Sequence, residues 1–146
     1  MKFSNTISFE NTYATKLEGI CEKCSPTSFS DSEILLKNYD LGLELGMDKV
    51  FLDSQECLDI FSGCVVSDSS VPISQAYSGH QYGNFNPQMG DGRAILLGEI
   101  NKKDIQLKGS GQTPYSKRGD GKSALGPVLR EYVISEFMHK IAIPTT

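Results

Sequence analysis

Residues 93–109 read RAILLGEINKKDIQLKG, and this stretch decides the fold. Two runs with strand character, RAILLGEI at 93–100 and IQLKG at 105–109, flank the short polar segment NKKD. Apolar runs separated by a few polar residues are typical of a β-hairpin. We therefore predict an antiparallel pair of strands, the second of which ends at Lys108 and Gly109.

The clearest helical pattern follows the hairpin, in ALGPVLREYVISEFMHKI at 124–141. Its apolar residues recur at steps of three and four, as expected for a helix with one apolar face, and Pro127 suits a first helical turn. Before the hairpin, SQECLDIFSG at 54–63 predicts a short helix that ends at Gly63. The chain therefore combines a hairpin with at least two helices.

Two segments near the start of the chain have weaker patterns. Residues 26–47 predict a partial helix, capped by Ser30 or Asp31 and ended by Gly46. The first 30 residues have little periodicity, and we expect them to form an extended arm.

The segment 64–90 is rich in turn-forming residues and predicts a loop. A long ordered loop in a compact domain is usually functional, so this segment is a candidate part of a binding site. Its turn-forming residues are Pro72, Gly79, Gly83, Pro87 and Gly90.

Length and composition limit the classes of protein that the chain can belong to. The chain has 146 residues, 38% of them hydrophobic and 22% charged, which suits one domain with a modest core. No apolar run approaches the roughly 20 residues of a membrane span, and the start MKFSNTISFENTY lacks the apolar core of a signal peptide. We expect an intracellular protein, in the cytoplasm with a mitochondrial location left open, and no membrane partner.

The net charge of −4 is distributed unevenly along the chain. Residues 1–92 hold 5 basic and 13 acidic side chains, whereas residues 93–130 hold 8 basic and 3 acidic ones. A short basic block in an acidic protein indicates a local anionic ligand and not general affinity for nucleic acid. A solvated surface of mixed charge would give the same count of basic and acidic residues. The charge distribution alone therefore does not establish an anion-binding site.

The chain contains four cysteines, Cys21, Cys24, Cys57 and Cys64. Because nothing indicates secretion, we expect free thiols; a zinc site and a redox role remain alternatives.

Glycine-rich turns within the basic block suggest how an anion binds. GDGR at 90–93 and GDGK at 119–122 offer backbone N–H groups without an obstructing Cβ, and Arg93 adds a guanidinium suited to phosphate. Lys108, at the end of a strand, can reach a nucleotide phosphate as a point charge. We predict a phosphate site here, although each turn alone is more often an ordinary turn.

An acidic side chain on the following helix could orient Lys108. A strand lysine paired with a helix glutamate holds the phosphates in protein kinases. Glu131 and Glu136 are both candidates, and the residue pattern does not choose between them. Both could equally be solvated helix acids.

Five segments together closely resemble the selenoprotein O family, also called the YdiU family. The resemblance spans essentially the whole chain, and its long motifs are highly specific. The segments are FENTYA at 9–14, NYDLGLELGMD at 38–48, SGHQYGNFNPQMGDGRAILLGEI at 78–100, DIQLKGSGQTPYSKRGDGK at 104–122 and LREYVISEFMHKIAIPTT at 129–146.

The resemblance implies an α+β fold of the protein-kinase type, of which residues 1–146 form a single partial domain, most of the N-lobe without the C-lobe. It implies a protein adenylyltransferase that binds ATP in a flipped orientation with Mg²⁺ and transfers AMP to protein hydroxyl groups. It assigns Glu131, not Glu136, as the partner of the strand lysine. The nucleotide-binding residues that it implies are Gly90, Gly92, Arg93, Lys108, Asp120 and Gly121.

The family's catalytic aspartate and metal-binding Asn and Asp are expected downstream of Thr146. The resemblance therefore implies no catalytic residue and no metal ligand within this chain, and no AMP transfer by the chain alone. Two other hypotheses stay open from the sequence: a nucleotide-binding or interaction module, and a decayed gene fragment without a stable fold.

Overall fold

The computed structural model describes residues 7–146. Within this range the chain forms a five-stranded antiparallel sheet and five helices, an α+β arrangement. The order in the sheet is β1-β2-β4-β5, with β3 paired to β2 alone. The elements along the chain are α1 (Thr12–Lys16), β1 (Cys21–Lys23), α2 (Tyr39–Glu44), α3 (Lys49–Leu52), α4 (Gln55–Phe61), β2 (Ile73–Gln81), β3 (Asn84–Gly90), β4 (Ala94–Ile100), β5 (Lys103–Lys108) and α5 (Leu125–Lys140).

The hairpin predicted at residues 93–109 is confirmed as β4 and β5. Ala94 pairs with Lys108 at one end, and Ile100 pairs with Lys103 at the other. The two turn residues have positive φ angles of 50° and 63°, the conformation that joins tightly twisted antiparallel strands. Every residue of β4 is buried, so the hairpin forms the centre of the fold.

The loop predicted for residues 64–90 is wrong over its second half, which forms the hairpin of β2 and β3. Tyr82 and Gly83 make the turn, with φ angles of 54° and 78°. Pro87 is compatible with β3 because this strand pairs on one side only, and a proline lacks the N–H that a second neighbour would need. The turn-forming residues thus mark an edge hairpin and not an irregular segment.

The extended arm predicted for the first 30 residues is also wrong where the structure describes it, from residue 7 onward; residues 1–6 lie outside the described range. This segment contains α1 and β1, and β1 pairs with β2 through Cys21 and Gln75. The Glu99 carboxylate accepts hydrogen bonds from the N–H groups of Thr12 and Tyr13. Burial opposes ionisation of Glu99, but the hydrogen bonds from Thr12 and Tyr13 and the charge of Lys16 together lower its pKa.

The helix predicted within residues 26–47 exists but begins later. Asn38 caps α2 by accepting from the N–H of Leu41, whereas Asp31, a predicted cap, has a left-handed φ of 59°. The predicted end at Gly46 is confirmed by its φ of 88°.

The predicted helix at 54–63 is confirmed as α4. The Ser54 hydroxyl caps its first turn by accepting from the N–H of Cys57. Gly63 follows the helix with a φ of 79°.

The main apolar core lies between the helices α2 to α4 and the β4–β5 hairpin. Burying a large apolar side chain contributes about 1.5–3 kcal/mol, so this cluster supplies much of the stability. Its members are Phe9, Leu45, Met47, Phe51, Leu52, Cys57, Ile60, Leu97, Ile100 and Leu107.

The long helix predicted at 124–141 is confirmed as α5, but its apolar row is not buried. Leu125, Val133 and Phe137 are each more than half exposed, and α5 has no buried residue. Two polar contacts, made by Glu131 and Glu136, tie this helix to the rest of the fold. None of the helices in the described range is long and apolar enough to span a membrane.

Candidate functional site

The turn that joins β3 to β4, residues 90–93, is fixed through its carbonyl groups. The Asp91 carbonyl accepts hydrogen bonds from Ser74 Oγ at 2.8 Å and from Thr113 Oγ1 at 2.7 Å. The Gly92 carbonyl accepts from Ser116 Oγ at 2.5 Å. These bonds hold the Asp91–Gly92 and Gly92–Arg93 peptide groups in one orientation.

The N–H groups of the same turn are left without protein partners. Neither Gly92 N–H nor Arg93 N–H donates to an acceptor within residues 7–146. The exposed Arg93 guanidinium likewise has no hydrogen-bond or ion-pair partner in that range. Adjacent unpaired N–H groups beside a cation form a concavity that suits an anion.

The glycines of this turn have an immediate packing reason. A Cβ added at Gly90 would overlap the ring of Tyr115, and one at Gly92 would lie 3.0 Å from the Tyr115 carbonyl oxygen. The absent side chains therefore let the loop that contains Tyr115 lie directly on the turn.

That loop, residues 109–123, brings the second glycine-rich turn toward the first. Gly109 N–H donates to the Arg93 carbonyl at 2.7 Å. Gly121, with a φ of 72°, lies so close to the Gly111 carbonyl that any Cβ would overlap it. Contacts from Arg93 through Gly109 and Gly111 thus connect the turn at 90–93 with the turn at 119–122.

The second turn also contains N–H groups without an acceptor in the part of the chain that the structure describes, on the exposed Asp120 and the buried Gly121. The Asp120 carboxylate accepts from Lys122 N–H at 2.9 Å, which stabilises the turn locally. The N–H groups of Asp120 and Gly121 have no acceptor among the described residues. Counting acceptors within residues 7–146, the two turns together therefore contain four unpaired N–H groups.

Lys108 lies next to the first turn, because its strand neighbour is Ala94. Its ammonium group contacts both carboxylate oxygens of Glu131 at 2.7 Å. Glu136 does not reach it and instead accepts from Asn38 Nδ2 at 2.5 Å. The Lys108 and Glu131 side chains remain 47% and 59% exposed, so the pair can contact a ligand.

Asp91 directly precedes the free N–H groups of the first turn in the chain. Its carboxylate accepts from Gln106 Nε2 at 3.2 Å, and burial raises the pKa of Asp91 above its ordinary value despite its hydrogen bonds.

Sequence reasoning missed the residues that fasten the first turn. Ser74, Thr113, Tyr115 and Ser116 all contact residues 90–92, and three of them lie in the segment TPYS. The only sign of their role in the sequence is that hydroxyl residues lie close together between the two glycine-rich turns. Among residues 7–146 there is no group of three or more His, Cys, Asp or Glu side chains that could hold a metal ion.

These features form a basic corner lined by backbone N–H groups, an arrangement that suits an anionic ligand. The sequence matches the family described as "Protein adenylyltransferase SelO" over residues 4–146, and the chain belongs to that family.

Curated relatives agree with this membership. A protein nucleotidyltransferase YdiU of Rhodopseudomonas palustris is 52% identical over 143 residues, which cover 94% of this chain and 29% of the relative. Relatives of the same name from Anoxybacillus flavithermus and Roseobacter denitrificans are 50% and 48% identical, and the matches cover 30% and 31% of their lengths. The chain therefore spans about three-tenths of the length of the curated relatives that it matches.

Proposed function

We propose that this chain is the nucleotide-binding part of a protein adenylyltransferase, which transfers AMP from ATP to Ser, Thr or Tyr hydroxyl groups of proteins. Membership of the SelO family and the names of the curated relatives support the class of reaction. The observation that carries the proposal is the cluster of unpaired N–H groups beside the Lys108–Glu131 pair.

In this proposal, ATP phosphates bind the two turns and Lys108. Gly92, Arg93, Asp120 and Gly121 supply N–H donors, the Arg93 guanidinium supplies charge, and Gly90 lets the loop close over the turn. Glu131 holds the Lys108 ammonium in place, as the corresponding glutamate does in protein kinases. We accordingly propose that the sheet and α5 form part of a protein-kinase-like N-lobe.

AMP transfer requires an acceptor oxygen to attack the α-phosphorus while the bond to the β-phosphate breaks and pyrophosphate leaves. Negative charge then accumulates on pyrophosphate, and fixed N–H donors and cations around it lower the barrier. The residues of the two turns are suited to this role because their orientation is set before the ligand arrives. The proteins modified would be those that present a hydroxyl side chain to the α-phosphate.

The proposal includes Mg²⁺ but places its ligands outside these residues. Magnesium binds through carboxylates and substrate phosphates in near-octahedral geometry, and the described residues offer no carboxylate cluster for it. The proposal therefore takes no magnesium ligand from the described residues.

We further propose that residues 1–146 alone bind nucleotide without transferring AMP, since the curated relatives are more than three times as long as the match. Purified chain, α-labelled ATP, Mg²⁺ and a mixture of acceptor proteins test this directly. We expect no label on protein; transfer of label by the chain alone would contradict it.

Calorimetric titration tests the nucleotide site. We expect micromolar binding of ATP, weaker binding of ADP and little binding of AMP, because the β- and γ-phosphates make the contacts. Lys108→Ala should weaken ATP binding about tenfold or more, whereas Lys103→Ala, on the same strand and 56% exposed, is the matched control. Equal affinity for ATP and AMP, or unchanged ATP binding by Lys108→Ala, would refute the site.

A further inference from the structure

Three hydroxyl groups outside the predicted ligand set, on Ser74, Thr113 and Ser116, bond to carbonyl groups of the first turn. A trans peptide is planar, so its C=O and N–H point to opposite sides. The Asp91 carbonyl belongs to the peptide that carries Gly92 N–H, and the Gly92 carbonyl belongs to the peptide that carries Arg93 N–H. Whatever anchors these two carbonyls therefore aims the two N–H groups the opposite way.

Two of these anchors, Thr113 and Ser116, lie in the segment TPYS, and each also accepts a hydrogen bond from a backbone N–H group. Thr113 Oγ1 accepts from Tyr115 N–H at 3.1 Å and lies 2.7 Å from the Asp91 carbonyl oxygen. Ser116 Oγ accepts from Thr113 N–H at 2.7 Å and lies 2.5 Å from the Gly92 carbonyl oxygen. The two hydroxyl oxygens also lie 3.4 Å from each other, but the shortest acceptor contact of each hydroxyl group is its carbonyl oxygen.

Two of the three anchors lie in buried residues, whereas Ser116 is half-buried. Thr113 is 8% exposed, and Ser74, which makes the second bond to the Asp91 carbonyl, is fully buried. Hydrogen bonds in such surroundings are stronger than in water and keep the turn in one arrangement.

We infer that Thr113 and Ser116 are positioning residues, which orient Gly92 N–H and Arg93 N–H toward a nucleotide phosphate without touching it. This inference rests on the proposed function, because it concerns the same phosphate site. It extends that site to the segment TPYS and gives those hydroxyl groups a role in affinity and not only in folding.

Matched variants test the inference by titration with ATP and with inorganic pyrophosphate. Thr113→Val and Ser116→Ala remove one hydroxyl each, and we expect each to weaken binding of both ligands about five- to tenfold. Thr113→Ser keeps the hydroxyl and should restore binding to within twofold. Ser110→Ala and Ser123→Ala are the controls, since both hydroxyls are buried in the same loop without a hydrogen-bond partner among the described residues.

Amide spectra separate orientation from general destabilisation. In Ser116→Ala the Arg93 amide signal should no longer shift on addition of pyrophosphate, while the Gly121 signal still does. If the unmodified chain binds neither ligand, the proposed function fails and this inference with it. If the chain binds but Thr113→Val and Ser116→Ala bind as tightly as the controls, only the positioning role is overturned.

Discussion

The Lys108–Glu131 pair allows stability and function to be separated by one substitution, Glu131→Gln. Two unit charges 2.7 Å apart attract by about 1.5 kcal/mol in water. Because both side chains are about half exposed, salt screening and loss of side-chain freedom reduce this to about 0.2–1 kcal/mol. We therefore predict that Glu131→Gln lowers the free energy of unfolding by less than about 1 kcal/mol.

The effect on ATP affinity should be larger than the effect on stability. Without the carboxylate the Lys108 ammonium is no longer held in place, and ordering a long side chain on binding costs about 0.5–1.5 kcal/mol. This corresponds to about a three- to tenfold loss of affinity. Removing a negative charge near the phosphates acts in the opposite direction, so the sign of the change decides whether orientation or charge dominates.

The assays are urea unfolding and calorimetric titration with ATP, on Glu131→Gln and on Glu136→Gln. The second variant is a matched control, since Glu136 lies on the same helix but bonds to Asn38. Unchanged or tighter ATP binding by Glu131→Gln would refute the orienting role. A loss of unfolding free energy above about 2 kcal/mol would show that the pair is not a surface interaction.

Three further predictions concern stability. Gly90→Ala should destabilise the chain by about 1–3 kcal/mol in urea unfolding, because its Cβ would overlap the Tyr115 ring; an unchanged midpoint would contradict that packing. Gly126→Ala, in α5 with no atom near the added Cβ, should raise stability by up to about 1 kcal/mol, and a loss would show that α5 is not helical there. Hydrogen bonds from Lys49 and other groups lower the pKa of Asp53 in the folded state. The ionised carboxylate therefore stabilises the fold above the ordinary Asp pKa of 3.8, and this stability is lost as the pH falls below about 4. Asp53→Asn should make the free energy of unfolding less dependent on pH in this acid range, and an unchanged dependence would contradict the prediction.

The sequence allowed the central hairpin and α4 to be predicted because local chemistry determines both. Apolar runs on either side of a short polar segment mark β4 and β5, and the Ser54 cap and Gly63 mark the ends of α4. The β2–β3 hairpin was missed because its glycines and proline resemble a loop. Their compatibility with a strand depends on β3 being an edge strand, and this is a property of the assembled sheet.

The start of α2 and the burial of α5 were harder to predict for a related reason. Asn38 caps α2, whereas the earlier candidate Asp31 takes a left-handed conformation that the pattern of leucines does not reveal. The apolar row of α5 has the spacing of a buried face, but periodicity reports only that a face is apolar and not what covers it.

At the candidate site, residue types indicated which groups could bind a ligand but not which residues hold those groups in place. Glycine-rich turns and basic residues pointed to the turns at 90–93 and 119–122 and to Lys108. The packing of Tyr115 on Gly90, and the hydroxyl anchors of Thr113 and Ser116, depend on contacts between a loop and a turn more than 20 residues apart. Such contacts require the folded loop and cannot be deduced from spacing alone.

An amide-resolved titration of the ¹⁵N-labelled chain with ATP tests the central claim most directly, because it reports on each proposed N–H donor separately. We predict large shifts for the amides of the two turns, with no shift for the Gly42 amide, which is buried in α2. Absence of shifts at the turns, or shifts confined to other parts of the chain, would contradict a phosphate site at this corner. The amides to follow are those of Gly92, Arg93, Asp120 and Gly121.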